Sequence, residues 1–220
     1  MKRFSVLLLM VFFSSFFLAA FEKFWPSLTI TSKKDTEKLF KNYFVVEDAV
    51  AINAKKWIRT KHDIEIAYPI QKKDMATVLL DFESYPKFMP YLDEITILER
   101  TDNTVTARHK NVIRILGYAY ITVYTMKYEW EIVDGNLAME WSFISSDGTL
   151  LESGGGCSID SVFVDGVEYT RIRHRNNSLV RKDFPAQEAI MRLVGTSEVE
   201  NIVKAVYKEC KKRSAGKKSR

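Results

Sequence analysis

The chain has 220 residues, of which 46% are hydrophobic and 28% charged. That suits one domain of ordinary size plus an extension, and it excludes both a multi-span membrane protein and wholesale disorder. A net charge of +5 is too mild to call for nucleic acid as a partner, and much of it sits in a basic tail, Lys211, Lys212, Arg213, Lys217, Lys218 and Arg220. Such a tail is expected to be solvated, and it leaves a contact with an anionic membrane surface open.

Taken in chain order, Lys2 and Arg3 precede an uncharged run over residues 4–21, the layout of a secretory signal peptide. Leu18-Ala19-Ala20 offers a cleavage site. The run also approaches the length of a spanning helix, so an uncleaved N-terminal anchor stays open. Either way the sequence predicts that the bulk of the chain is exported, to a periplasmic or extracellular space. Residues 21–61 read as a helical extension, because Leu39, Phe40, Tyr43, Phe44, Val50 and Ile52 recur among charges.

From residue 62 a compact pattern begins. Ile64, Ile66 and Tyr68 alternate as in a strand. Met75, Val78, Leu79 and Phe82 have helical spacing, and Pro86 and Pro90 allow only a short, broken helix after them. Six strand patterns follow, over 95–100, 105–115, 118–132, 137–144, 150–164 and 167–179. Asp102-Asn103, Asp134-Gly135, Asp147-Gly148 and Asp165-Gly166 punctuate them as hairpin turns. Asp183 and Pro185 then open a long amphipathic helix. Its apolar stripe takes in Ala186, Ala189, Ile190, Leu193 and Val194, then Val199, Ile202, Val203, Val206 and Cys210. Gly195-Thr196-Ser197 could bend it, since Ser197 and Glu200 make a capping-box pair. A helix of this kind after a meander belongs across the sheet's concave face.

The stretch LLDFESYPKFMPYLDEITILER at 79–100 carries a family texture in Asp81, Tyr85, Pro86, Phe88 and Pro90. With Trp141 in MEWSF, Gly154-Gly155-Gly156 within a strand, EYTRIRH from Glu168, and Phe184-Pro185 before the last helix, residues 62–213 resemble the START-like/polyketide cyclase (SRPBCC) superfamily. The coenzyme-Q-binding and bacterial START-like groups are nearest. The resemblance implies an α+β helix-grip fold, in which a curved antiparallel sheet wraps around a long C-terminal helix over an internal cavity. Residues 1–20 then form a signal peptide or anchor, 21–61 the extension, 62–213 the START-like domain and 214–220 the basic tail. It also implies a lipid, quinone or other small apolar ligand. Some members are enzymes, so the fold leaves function open.

Strand parity selects the cavity wall. In the strand from Tyr118 the even positions, Tyr120, Tyr124, Met126, Tyr128 and Trp130 among them, carry the bulk. In the next strand it is the odd positions, Leu137, Met139, Trp141 and Phe143. Each ring brings apolar area with a polar tip. The same parity turns His109 and Asn111 inward, and His174 with Ile172. From these, Tyr124, Tyr128, Trp141, Phe143, His109, Ile172, His174, Ile190 and Leu193 are the candidate ligand-binding residues. Arg171, Arg173 and Arg175 alternate with the inward set and are expected on the outer face, since three unpaired buried arginines would be very costly.

No catalytic residue is assigned. The sequence holds no GxSxG, HExxH or Walker pattern, and Glu140, Glu152 and Asp160 lack catalytic spacing. The triple glycine, with no Lys-Ser/Thr after it, reads as a close backbone approach or bulge. His109 and His174 are too few for a metal site, and no cofactor is implied. Cys157 and Cys210 read as two separate buried thiols, although an oxidising compartment permits a bridge. Asn176-Asn177-Ser178 matches a glycosylation sequon. The chain is expected to be a monomer that binds and carries a small hydrophobic ligand. A cyclase- or hydrolase-like enzyme using a cavity histidine is the alternative, and an interaction domain with a filled cavity a third; no partner for His174 is visible in the sequence.

Overall fold

The computed structural model describes residues 32–36, 40–52, 55–115, 118–183 and 187–218; side chains at 40–52, 115, 118, 190, 193–198 and 217–218 are outside that description. The leader, Phe184 and Pro185 therefore lie outside the described residues.

Eight strands make one antiparallel sheet: β1 Phe40–Ile52, β2 Lys55–Tyr68, β3 Leu92–Arg100, β4 Thr104–Ile115, β5 Tyr118–Val133, β6 Asn136–Ser146, β7 Leu150–Val164 and β8 Val167–Arg181. Their order is β1-β2-β8-β7-β6-β5-β4-β3, so the meander β3–β8 returns to pair with β2. The turns do what their residues allow. Asp134 and Gly135 have φ of 52° and 73°, and Asp165 and Gly166 have 51° and 75°. Left-handed conformations at both central positions match the twist of the flanking strands, and Asp-Gly tolerates them.

The helical reading of 21–61 is corrected where the structure describes it. Residues 40–52 are a strand, and they pair with β2 from Phe40↔Glu65 to Ile52↔Lys55. The reason lies in composition: Tyr43, Phe44, Val45, Val46, Val50 and Ile52 are aromatic or β-branched, residues that suit a pleated surface. Apolar spacing over a short window fits either period, and side-chain shape decides between them. The sheet thus gains a strand beyond the seven expected, and β2 begins well before Ile64.

Among the described residues the helices are α1 Lys33–Thr36, α2 Lys72–Leu79 and α3 Gln187–Lys218, with a 3-10 turn at Phe82–Lys87. The hydrogen-bonded run of α3 passes unbroken through Gly195-Thr196-Ser197. Val199, Val203, Val206 and Cys210 form its buried stripe and meet Ile64, Ile66, Met75, Val78, Leu79, Phe82, Ile159 and Ile172 in one core. This is the helical period laid against a sheet face. Cys210 Sγ lies 3.5 Å from Met75 Sδ, and the Tyr68 and Tyr207 rings stack at 4.0 Å between centroids.

The residues that carry the family texture at 79–100 have structural work in this arrangement. Tyr85 is buried among Phe82 and Phe88, and its hydroxyl donates to the Leu79 carbonyl. Asp81 pairs with Arg213 at 2.8 Å, and the Ser214 hydroxyl donates to Asp74 at 3.1 Å. Together they tie α2 and the 3-10 turn to the C-terminal half of α3. Cys157 and Cys210 are separate buried thiols. Among the described residues no helix is long and apolar enough to cross a membrane.

Candidate functional site

Between the sheet and α3 lies a cavity of about 410 Å³. Its lining comes from the strands β2 to β8, with Leu92 at the start of β3, from Leu79, Tyr85, Met89 and Pro90 in and after α2, and from Gln187, Met191, Ile202, Val203 and Val206 of α3. One helix can face that many strands only if the sheet curls around it. Leu79, Met126, Met139, Cys157, Ile172 and Val206 give the wall its apolar character.

Two hydrogen-bonded groups of polar side chains interrupt that wall, and Thr122, Gln187 and the buried Tyr120 hydroxyl add further polar atoms. The first comes from β4 and β5. His109 Nε2 and the Tyr128 hydroxyl share a hydrogen bond at 3.1 Å. The His109 ring lies parallel to that of Tyr124, with centroids 5.1 Å apart. The Asn111 amide donates to the Tyr124 hydroxyl at 3.0 Å, while the buried Asn111 Oδ1 accepts no hydrogen bond from any described residue. Ladder register explains the grouping, because His109 pairs with Tyr124 and sits one step from Ala107↔Met126 on the same face.

The second group spans β2, β6, β7 and β8. His62 Nε2 faces His174 Nδ1 at 3.1 Å. Their planes differ by 10° with centroids 5.1 Å apart, which places the rings nearly edge to edge, as one imidazole N–H donating to the other's bare nitrogen requires. Beside them the Trp141 indole N–H donates to Asn176 Oδ1 at 2.9 Å, and the Asn176 amide donates to Ser178 Oγ at 2.7 Å. Ser178 and Ser153 share a further bond at 2.9 Å.

All three histidines of the chain line this cavity. Burial pushes His109 and His174 down to about 4. Burial first, and then the neighbouring His174, holds His62 well below its ordinary range. All three are therefore neutral at pH 7. Burial likewise raises the Tyr124 hydroxyl and the Cys157 thiol to about 12, so neither ionises there. No Asp, Glu, Lys or Arg is among the described lining residues.

The charges are on the sheet's other face. Arg171, Arg173 and Arg175 point away from the cavity as expected, but they form an ion cluster and are not simply solvated. Arg171 Nε donates to Asp160 at 2.7 Å, Arg173 lies 3.3 Å from Asp160, and Arg175 lies 3.5 Å from Glu140. Glu65, only 1% exposed, sits 3.7 and 3.9 Å from Arg171 and Arg173. Burial raises its carboxyl against the pull of those guanidiniums.

Of the residues singled out from sequence, the structure brings Tyr124, Tyr128, Trp141, His109, Ile172 and His174 to the cavity wall. Phe143 is half-buried and not among the lining residues. It pairs with Met126 next to a register shift, where β6 carries the extra residue Ile144, and such a bulge re-aims the side chains around it. Ile190 and Leu193 lie on α3, with side chains outside the described residues.

Sequence reasoning missed His62, Ser153, Asn176, Ser178 and Gln187. His62 shares its strand face with Ile64 and Ile66, a signal hidden by ending the extension at residue 61. Asn176 shares parity with Ile172 and His174. It opens the glycosylation sequon, and its side chain lines the cavity and accepts from the Trp141 indole N–H.

A curved sheet gripping a long C-terminal helix over an uncharged cavity defines a helix-grip protein with an internal binding space. The sequence matches the family described as "Polyketide cyclase / dehydrase and lipid transport" over residues 67–206, and the chain belongs to that family. Solved structures share the fold at low identity. A STAR-related lipid transfer protein from Xanthomonas axonopodis (fragment 25–204) is 13% identical with a TM-score of 0.57, covering 77% of this chain and 98% of its own. Human StAR-related lipid transfer protein 5 is 8% identical with a TM-score of 0.57, covering 75% and 86%. The Zhui aromatase/cyclase from Streptomyces sp. R1128 is 14% identical with a TM-score of 0.54, covering 71% and 96%. No curated protein sequence gives a significant match.

Proposed function

We propose that the protein holds a small, largely apolar molecule, of the lipid or quinone kind, in the cavity between the sheet and α3, and carries it without transforming it. The observation that carries this reading is the lining: about 410 Å³ of space walled by aromatic and aliphatic side chains, with a few polar groups, most of them hydrogen-bonded to one another. That is the composition of a pocket that binds by shape and apolar area. Both lipid transfer proteins and a cyclase share the fold, so the decision rests on the site.

The second reading, an acid–base enzyme, is favoured by the His62–His174 pair, which supplies the partner that His174 lacks in sequence. Against it, imidazoles pushed to about 4 are poor proton acceptors at pH 7. No described lining carboxylate stands by to hold an imidazolium. Two variants separate the readings, assayed with the molecule that co-purifies. For a carrier, Trp141→Ala impairs retention strongly, and His174→Gln weakens it by about 1–3 kcal/mol. For an enzyme, His174→Gln abolishes turnover while binding survives, and that outcome would defeat the carrier.

We also propose that the protein works outside the cytoplasm, on the strength of Lys2, Arg3 and the uncharged run over 4–21. A chain lacking residues 1–20 should stay in the cytoplasm; export without them would sink the proposal.

A further inference from the structure

We propose that the ligand is an uncharged molecule bearing a hydroxyl-type donor, which the protein recognises through Asn111. This inference names the ligand class for the cavity and rests on the binding reading above.

Four observations support it. The described lining residues hold no charged side chain on any of the strands or on α3. The carboxylates and guanidiniums of β2, β7 and β8 nearest in sequence are turned outward into their own cluster. A carboxylate, phosphate or ammonium entering the cavity would give up water without meeting a counter-ion, which is the costliest way to bury a group. The three histidines do not rescue an anion, because burial keeps them neutral.

The polar atoms that remain are hydrogen-bonding dipoles, and most are engaged with each other. Trp141 donates to Asn176, His62 faces His174, and Tyr128 faces His109. Asn111 differs. Its amide nitrogen donates to the Tyr124 hydroxyl, while Oδ1 is buried and accepts nothing from any described residue. A buried acceptor in that state selects a donor. A neutral alcohol, phenol or glycerol ester with a free hydroxyl satisfies it; a hydrocarbon does not.

The test uses the unmodified full chain at pH 7.5 with Nile red as an uncharged reporter of cavity occupancy. Dodecane, 1-dodecanol, dodecanoate and dodecylammonium, which share one alkyl chain, compete for it. Dodecanol should displace the dye at about a tenfold lower concentration, or lower still, than either ion, and should also bind more tightly than dodecane. Asn111→Leu should cut the advantage of dodecanol over dodecane by about tenfold. If dodecanoate or dodecylammonium competes as well as dodecanol, the inference is overturned while the binding reading stands. If Nile red and all four competitors fail to bind, the binding reading itself is overturned, and the inference with it. The series on the unmodified chain decides the matter even if Asn111→Leu does not fold.

Discussion

Trp141 joins the two polar groups of the cavity wall. Its ring lies 5.1 Å from His174 and 6.3 Å from Tyr128, and its N–H is held by Asn176. Gly155, its cross-strand partner, has no room for a side chain between Trp141 and the β8 backbone. A Cβ there would meet the Arg175 carbonyl, Trp141 Cζ2 at 2.8 Å and Asn176 Cα at 2.9 Å. Two of those three are backbone atoms that have little freedom to move. Gly155→Ala should therefore destabilise the fold by about 1–3 kcal/mol and disturb the indole, measurable together as a lower denaturation midpoint and an altered Trp fluorescence maximum. Unchanged values for both would contradict the packing described.

The histidines make a second residue-scale prediction. His109 and His174 titrate near 4 when folded, against an ordinary 6.5. Between those values an unfolded chain binds protons that the folded chain refuses. The stability from neutral burial is thus complete above about pH 6.5 and is lost as pH falls toward 4, at about 1.4 kcal/mol per pH unit for each ring. Denaturation at a series of pH values should show that decline, and His109→Gln should make it shallower. An identical slope in the variant would show that His109 is not buried in its neutral form.

At the scale of elements, α3 is the part on which both core and cavity depend. Val203 and Val206 are 4% and 3% exposed, and the same helix presents Ile202 to the cavity. Val206→Ala removes packed methyl groups and should cost about 1–3 kcal/mol, read from chemical denaturation. No loss would mean that the helix does not dock as described. Meander, turns and final helix were legible in sequence because Asp-Gly turns and period-2 alternation are local signals. The two-sheet-face separation of Arg171, Arg173 and Arg175 from Ile172 and His174 was legible for the same reason. What local signals do not carry is pairing. That β2 runs back to Lys55 and lies against β8, bringing His62 to His174, depends on residues more than a hundred positions apart. The bulge at Ile144 that removes Phe143 from the wall is a register event and leaves little trace in composition. The segment over 40–52 was misread because apolar residues among charges suit either period until β-branching is weighed.

For the molecule as a whole, the sheet separates two chemistries across its thickness. Ion clusters occupy the outer face of β2, β7 and β8, and an uncharged cavity the inner. The central claim is that this cavity is occupied in use by a small neutral molecule. Native mass spectrometry of the protein purified from its own host tests it most directly. A stoichiometric adduct is expected that organic solvent releases and that proves to be apolar, uncharged and hydroxyl-bearing. A bare chain that also takes up no apolar dye would contradict it.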